Sequence, residues 1–213
     1  MRTFHVPTKP YNFRLYSRSN VTFYPGLTTL VGCNGSGKST LMSLIREQLQ
    51  SDDNTLVFKY DDRIDGGYHL MEKLGFNGDM IGLAGMYISS EGERIISGIA
   101  DFVPKIRPTI RKNNPKEVWI LLDAVGSGLS IDGIHDIKDL FETIKQDNPD
   151  RDVYFVVSTN EFEFAVDSDC VDVTTFLHVH FLEYDTYRAF ILNTRAKKDR
   201  RIARQIVNQK SKS

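Results

Sequence analysis

The stretch that decides the reading is GCNGSGKST, Gly32 to Thr40. From Gly32 to Ser39 it fits G-x-x-x-x-G-K-[ST] in full, between a strand-like run, TLVG, and a segment of helical periodicity. Glycines let a backbone curl until successive N–H groups point inward, at the spacing of phosphate oxygens. A helix opening near Gly37 adds its positive end. Lys38 brings a full charge to the β- and γ-phosphates, and the Ser39 hydroxyl can ligate Mg²⁺. The expected binding set is Gly32, Cys33, Asn34, Gly35, Ser36, Gly37, Lys38, Ser39 and Thr40, with Cys33 an inert spacer.

Working outward, KSTLMSLIREQLQ places Leu41, Ile45 and Leu49 four apart, so one helical face is apolar. Upstream, NFRLYS and VTFYP read as two antiparallel strands ahead of TLVG. Downstream, TLVFKY (55–60) alternates like a strand, residues 61–88 read as loops with a short helix, and ERIISGIADFV reads as a helix. VWILLD (118–123) and VYFVVST (153–159) are near-continuous apolar runs, the mark of strands covered on both faces. Between them Ile134, Ile137, Phe141 and Ile144 form one helical stripe. Strand, helix, strand is a βαβ unit with a parallel sheet. FLHVHFLEY and YRAFILN are expected to close the chain as a hairpin.

The 213 residues suffice for one α/β domain. With 40% apolar and 26% charged residues, the composition is that of a globular protein, and no apolar run reaches the ~18 residues of a membrane span. The N-terminus lacks the apolar core of a secretory signal. Two cysteines, Cys33 and Cys170, give neither a disulfide framework nor metal-cluster spacing, so a cytoplasmic setting is expected. The net charge of −1 hides an asymmetry: residues 195–213 hold eight Lys or Arg and one Asp, so the remainder is acidic. Such a tail either touches nucleic-acid phosphates or is a solvated, partly helical terminus.

WILLDAVGSGLS (119–130) supplies the second half of the site. Asp123 ends an apolar strand, where α/β sheets present ligand groups, and is expected to hold Mg²⁺ with Ser39. The residue after it, Ala124, carries no carboxylate.

GCNGSGKSTL, with its lead-in YPGLTTLVG, resembles the phosphate loop of ABC-type ATPases, the group that includes transporter cassettes and the SMC and RecF-like DNA-maintenance ATPases. LLDAVGSGLS resembles the family's Walker B and D-loop segment: Asp123, Ser127 and Leu129 match, whereas Ala124 and Ser130 do not. ISSEGER (88–94) is similar to the signature segment, with Ser90, Gly92 and Glu93 in place of its Ser, second Gly and Gln, and Glu91 where the first Gly belongs. The same residues also read as a capping box, Ser90 at the N-cap and Glu93 at N3. VSTNEFEF puts Asn160 where the family's switch histidine stands.

The resemblance, spanning roughly residues 12–192, implies a P-loop NTPase: a mainly parallel sheet flanked by helices, with an antiparallel N-terminal β subdomain. It implies one ATP-binding domain over residues 1–194, followed by a basic tail. With about 50 residues between Lys38 and Ser90 there is no room for a long coiled coil, so a compact SMC/RecF-like head fits better than a transporter cassette. The expected cofactors are ATP and Mg²⁺, and the expected partner is a second copy presenting Ser90 and Gly92 across the nucleotide, with DNA or another protein beyond it.

In the family, the residue after the Walker B aspartate is a glutamate that orients and helps deprotonate the attacking water. Such help contributes typically ~10²–10⁴-fold in rate, and Ala124 cannot supply it. Three accounts follow: slow natural hydrolysis, a substitute carboxylate such as Glu161 or Glu163, or a sequence altered at this position. Asp61, Asp62 and Asp65 fall where a glutamine loop would lie and read as a solvated acidic turn. Tyr11, Arg14 and Tyr16 are candidates for an adenine platform or plain strand residues. A small-molecule kinase would require an arginine-rich lid and leaves ISSEGER without a task.

Overall fold

The computed structural model describes residues 1–11, 13–61, 91–125 and 129–210. In chain order the elements are β1 (Arg2–His5), β2 (Asn20–Phe23), β3 (Gly26–Val31), α1 (Lys38–Leu49), β4 (Thr55–Asp61), α2 (Glu91–Asn113), β5 (Glu117–Asp123), α3 (Ile131–Gln146), β6 (Asp152–Ser158), α4 (Phe162–Ala165), β7 (Asp169–Asp172), β8 (His178–Val179) and α5 (Tyr184–Lys210). Six strands form one sheet in the order β4-β5-β6-β3-β7-β8, parallel except for β8, and β1 and β2 form a separate antiparallel pair. This is the expected P-loop NTPase architecture. Among the described residues, no helix is long and apolar enough to cross a membrane.

The central strands are apolar throughout because each face is covered. On β5, Trp119 and Leu121 join Leu41, Met42, Ile45 and Leu49 of α1 and Phe4, Val21 and Phe23 of the small sheet. Val118, Ile120 and Leu122 point the other way, onto Ile106 and Ile110 of α2 and the Ile134–Ile137–Phe141–Ile144 stripe of α3. The register sets Trp119 beside Tyr154, and their rings stack at 4.0 Å. One face thus carries the loop-bearing helix and the other carries α2 and α3, which leaves the carboxyl ends of β3, β5 and β6 open together.

Three expectations are corrected. The described part of NFRLYS, from Phe13 on, is not a strand; residues 13–19 carry none, and the partner of β2 is β1, with Phe4 paired to Val21. Alternation selects β1: Phe4 is buried while Thr3 and His5 face outward. YRAFILN is not a hairpin strand but part of α5, whose Tyr187, Phe190 and Ile191 follow helical spacing onto Val31 and Cys170. The antiparallel partner of β7 is instead β8, two residues long. Asp61 is not in a solvated turn; it ends β4, is 3% exposed, and accepts from Lys59 Nζ at 3.0 Å. Asp62 and Asp65 lie outside the described residues.

Candidate functional site

The phosphate loop connects β3 to α1. Gly32, Gly35 and Gly37 all take positive φ, at 150°, 72° and 106°. Gly37 shows why a side chain is refused: a Cβ there would sit 3.0 Å from the buried ring of Tyr16. That ring's hydroxyl donates to the Gly37 carbonyl at 2.9 Å, pinning the loop from beneath. Tyr16 also packs on Phe176, with ring centroids 4.9 Å apart, so it belongs to the core and is no adenine platform. Arg14 turns away to the Tyr16 carbonyl. Tyr11 remains, 72% exposed and lining the cleft above the loop.

α1 begins at Lys38 with Gly37 as its N-cap; no side chain caps it and its first turn holds no acid. The opening N–H groups of an α-helix lack intrahelical acceptors, so this end suits an anion. It forms one wall of a cleft of about 740 Å³. Asn34 to Thr40 line one side, Ala124 and Val125 the end of β5, and Ser158 to Glu161 the end of β6.

Three contacts join segments distant in sequence. Ser39 Oγ donates to Asp123 Oδ1 at 3.0 Å. Lys38 Nζ donates to the Gly32 carbonyl at 2.6 Å and to Asn160 Oδ1 at 2.8 Å. Asn160 Nδ2 in turn donates to Asn34 Oδ1. Burial pushes the Lys38 ammonium down to about 8, against the opposing pull of Cys33 and Asp123. A cation this desolvated gains strongly from an arriving anion.

Ala124 sits at φ 60°, a left-handed backbone uncommon for a residue with a Cβ, and lines the cleft directly after Asp123. Glu161 lines both this cleft and a neighbouring groove with Tyr184 and Leu192, whereas Glu163 lines the groove and not the cleft. Burial raises the Glu161 carboxyl above the usual carboxylate range. Cys33 is buried, consistent with a spacer. Ser90 and Ser127 lie outside the described residues, and Gly92 and Glu93 fall in the first turns of α2.

Sequence reasoning missed the part played by α5. The buried Thr194 accepts the Cys33 N–H at 3.2 Å, and Lys198 Nζ donates to the Asn34 carbonyl at 2.8 Å. Arg201 donates to the Leu15 carbonyl at 2.6 Å. Part of the basic segment is therefore a brace on the phosphate loop. No local pattern announces this, because the contacts span more than 160 residues.

Ser39 and Asp123 offer hard oxygen donors 3.0 Å apart, the chemistry Mg²⁺ takes. Bound there, the ion would neutralise charge on the β- and γ-phosphate oxygens.

Residues 11–54 match the family model described as an AAA domain. The match spans the loop, α1 and the approach to β4, and supports an AAA-type P-loop ATPase with nucleotide binding. No curated protein matches the chain.

Proposed function

We propose that the chain is an ATP-Mg²⁺-binding head of the ABC-type, SMC/RecF-like class that dimerises around ATP and hydrolyses it slowly. The observation that carries this reading is the 3.0 Å contact between Ser39 and Asp123. It brings the two sequence motifs, 84 residues apart, to one point at the carboxyl edge of the sheet. Lys38 and the opening amides of α1 would take the phosphates, Ser39 and Asp123 the metal. Tyr11, which lines the cleft, would cover the base.

The dimer follows from the resemblance of ISSEGER to the family's signature. A second copy would present Ser90 and Gly92, with Glu93 behind them, to the γ-phosphate, so that a two-fold dimer holds two nucleotides. The exposed Lys197, Arg200 and Arg204 give α5 a basic surface for DNA phosphates or an acidic partner protein. Light scattering on the full chain with and without Mg²⁺-ATP tests the dimer: the mass should double with nucleotide, and a monomer at saturating ATP contradicts it.

Ala124 supports a second reading, a non-hydrolysing ATP-gated module that recruits a partner. Phosphate release separates the two. Tight ATP uptake with turnover at the uncatalysed background supports the module, and turnover above it supports the ATPase.

A further inference from the structure

The cleft lacks a carboxylate after Asp123, yet it does not lack a carboxylate. We propose that Glu161, at the end of β6, is the general base that orients and deprotonates the attacking water, in place of the side chain Ala124 cannot provide. The inference rests on the ATPase reading above and adds a residue to it.

Five observations converge. Glu161 lines the 740 Å³ cleft together with Lys38, Ser39 and Ala124. It directly follows Asn160, whose Oδ1 accepts from Lys38 Nζ at 2.8 Å, at the same carboxyl end of β6. Glu161 occupies the N-cap of α4, the ordinary employment for an acid there, but its side chain makes no capping hydrogen bond. Among the described residues, no ion pair or side-chain hydrogen bond occupies its carboxylate, which is partly buried. Desolvation alone raises its pKa, moving the group toward the operating range of a general base. Glu161 borders the neighbouring groove too, where its charge acts on Tyr187, but Glu163 borders that groove without lining the cleft, and its charge acts on Lys138.

In the step this implies, the water oxygen bonds to the γ-phosphorus as the bond from that phosphorus to the β–γ bridging oxygen breaks. ADP leaves with the electron pair. The water proton passes to the Glu161 carboxylate and from there to solvent.

The test compares the full-length parent with Glu161→Gln, Glu161→Ala and Glu163→Gln, reading uptake of a fluorescent ATP analogue and steady-state phosphate release. Both Glu161 variants should take up the analogue within about twofold of the parent, while turnover falls by about 10²–10⁴-fold. Formate should restore part of the turnover of Glu161→Ala, and Glu163→Gln should match the parent. Glu161→Gln turning over at the parental rate, or losing uptake along with turnover, overturns the assignment. So does a parent that takes up the analogue but releases phosphate no faster than background. In each of these outcomes the parent still takes up nucleotide, so the ATP-binding reading stands; a parent with no uptake overturns both readings.

Discussion

Lys38 and Asn160 are joined by a 2.8 Å hydrogen bond from the ammonium to the side-chain oxygen, across 122 residues of chain. The amide holds the lysine at the mouth of the cleft without adding charge. Asn160→Asp would convert that acceptor to a carboxylate, which competes with phosphate for Lys38 and repels it. ATP affinity should fall by about tenfold or more, ~1.4 kcal/mol. Calorimetric titration checks this, with Asn160→Ala as the uncharged control that should bind ATP more tightly than Asn160→Asp.

Lys38 also predicts a pH dependence. Its pKa is about 8 in the folded protein against an ordinary 10.5, so between those values the unfolded chain binds the extra proton. This residue's contribution to the stability of the nucleotide-free protein therefore rises with pH through that window and is lost as pH falls through about 8. ATP binding runs in the opposite sense, because it requires the ammonium. Affinity should hold level below about pH 8 and then weaken, approaching tenfold per unit. Titrations across about pH 7 to 9.5 would show the break. A flat profile contradicts the assignment of Lys38 to phosphate.

Ser39→Ala removes a proposed metal ligand and the hydroxyl that donates to Asp123. The variant should bind ATP in EDTA as the parent does but lose most of the gain that Mg²⁺ brings. The ratio of the two dissociation constants for each protein measures this directly.

The phosphate loop, the covered strands β5 and β6 and the stripe of α3 were legible because each is written in local spacing. The glycines fall where φ must be positive, and Ile134, Ile137, Phe141 and Ile144 repeat with the helical period. β1 is not legible in the sequence because four residues give alternation little room. α5 is hard to read as one helix because most of its 27 residues are polar or charged, and among the described side chains Tyr187, Phe190, Ile191 and Thr194 mark its buried face. The choice between Glu161 and Glu163 was invisible in sequence. The turn into α4 decides which of the two lines the cleft. The place of Asp61 is hidden for a similar reason: an acidic run reads as solvent-facing, whereas the register carries β4 one residue further, beside Asp123.

The brace from α5 makes its own prediction. Thr194→Val keeps the shape but leaves the buried Cys33 N–H without its acceptor, at a cost of about 1–3 kcal/mol. Thermal unfolding should shift downward by several degrees. Saturating ATP should recover part of the shift, since ligand binding to the folded state stabilises it. Lys198→Ala, which frees only the solvent-accessible Asn34 carbonyl, should shift far less.

The central claim is that the loop from Gly32 to Thr40 grips a nucleoside triphosphate through Lys38. Titration of a fluorescent ATP analogue against the parent and Lys38→Ala tests it most directly, with circular dichroism confirming that both are folded. The account predicts saturable uptake by the parent and at least about a hundredfold weaker uptake by the variant, on the order of 2.7 kcal/mol. Superimposable curves, or a folded parent that takes up nothing, would contradict it.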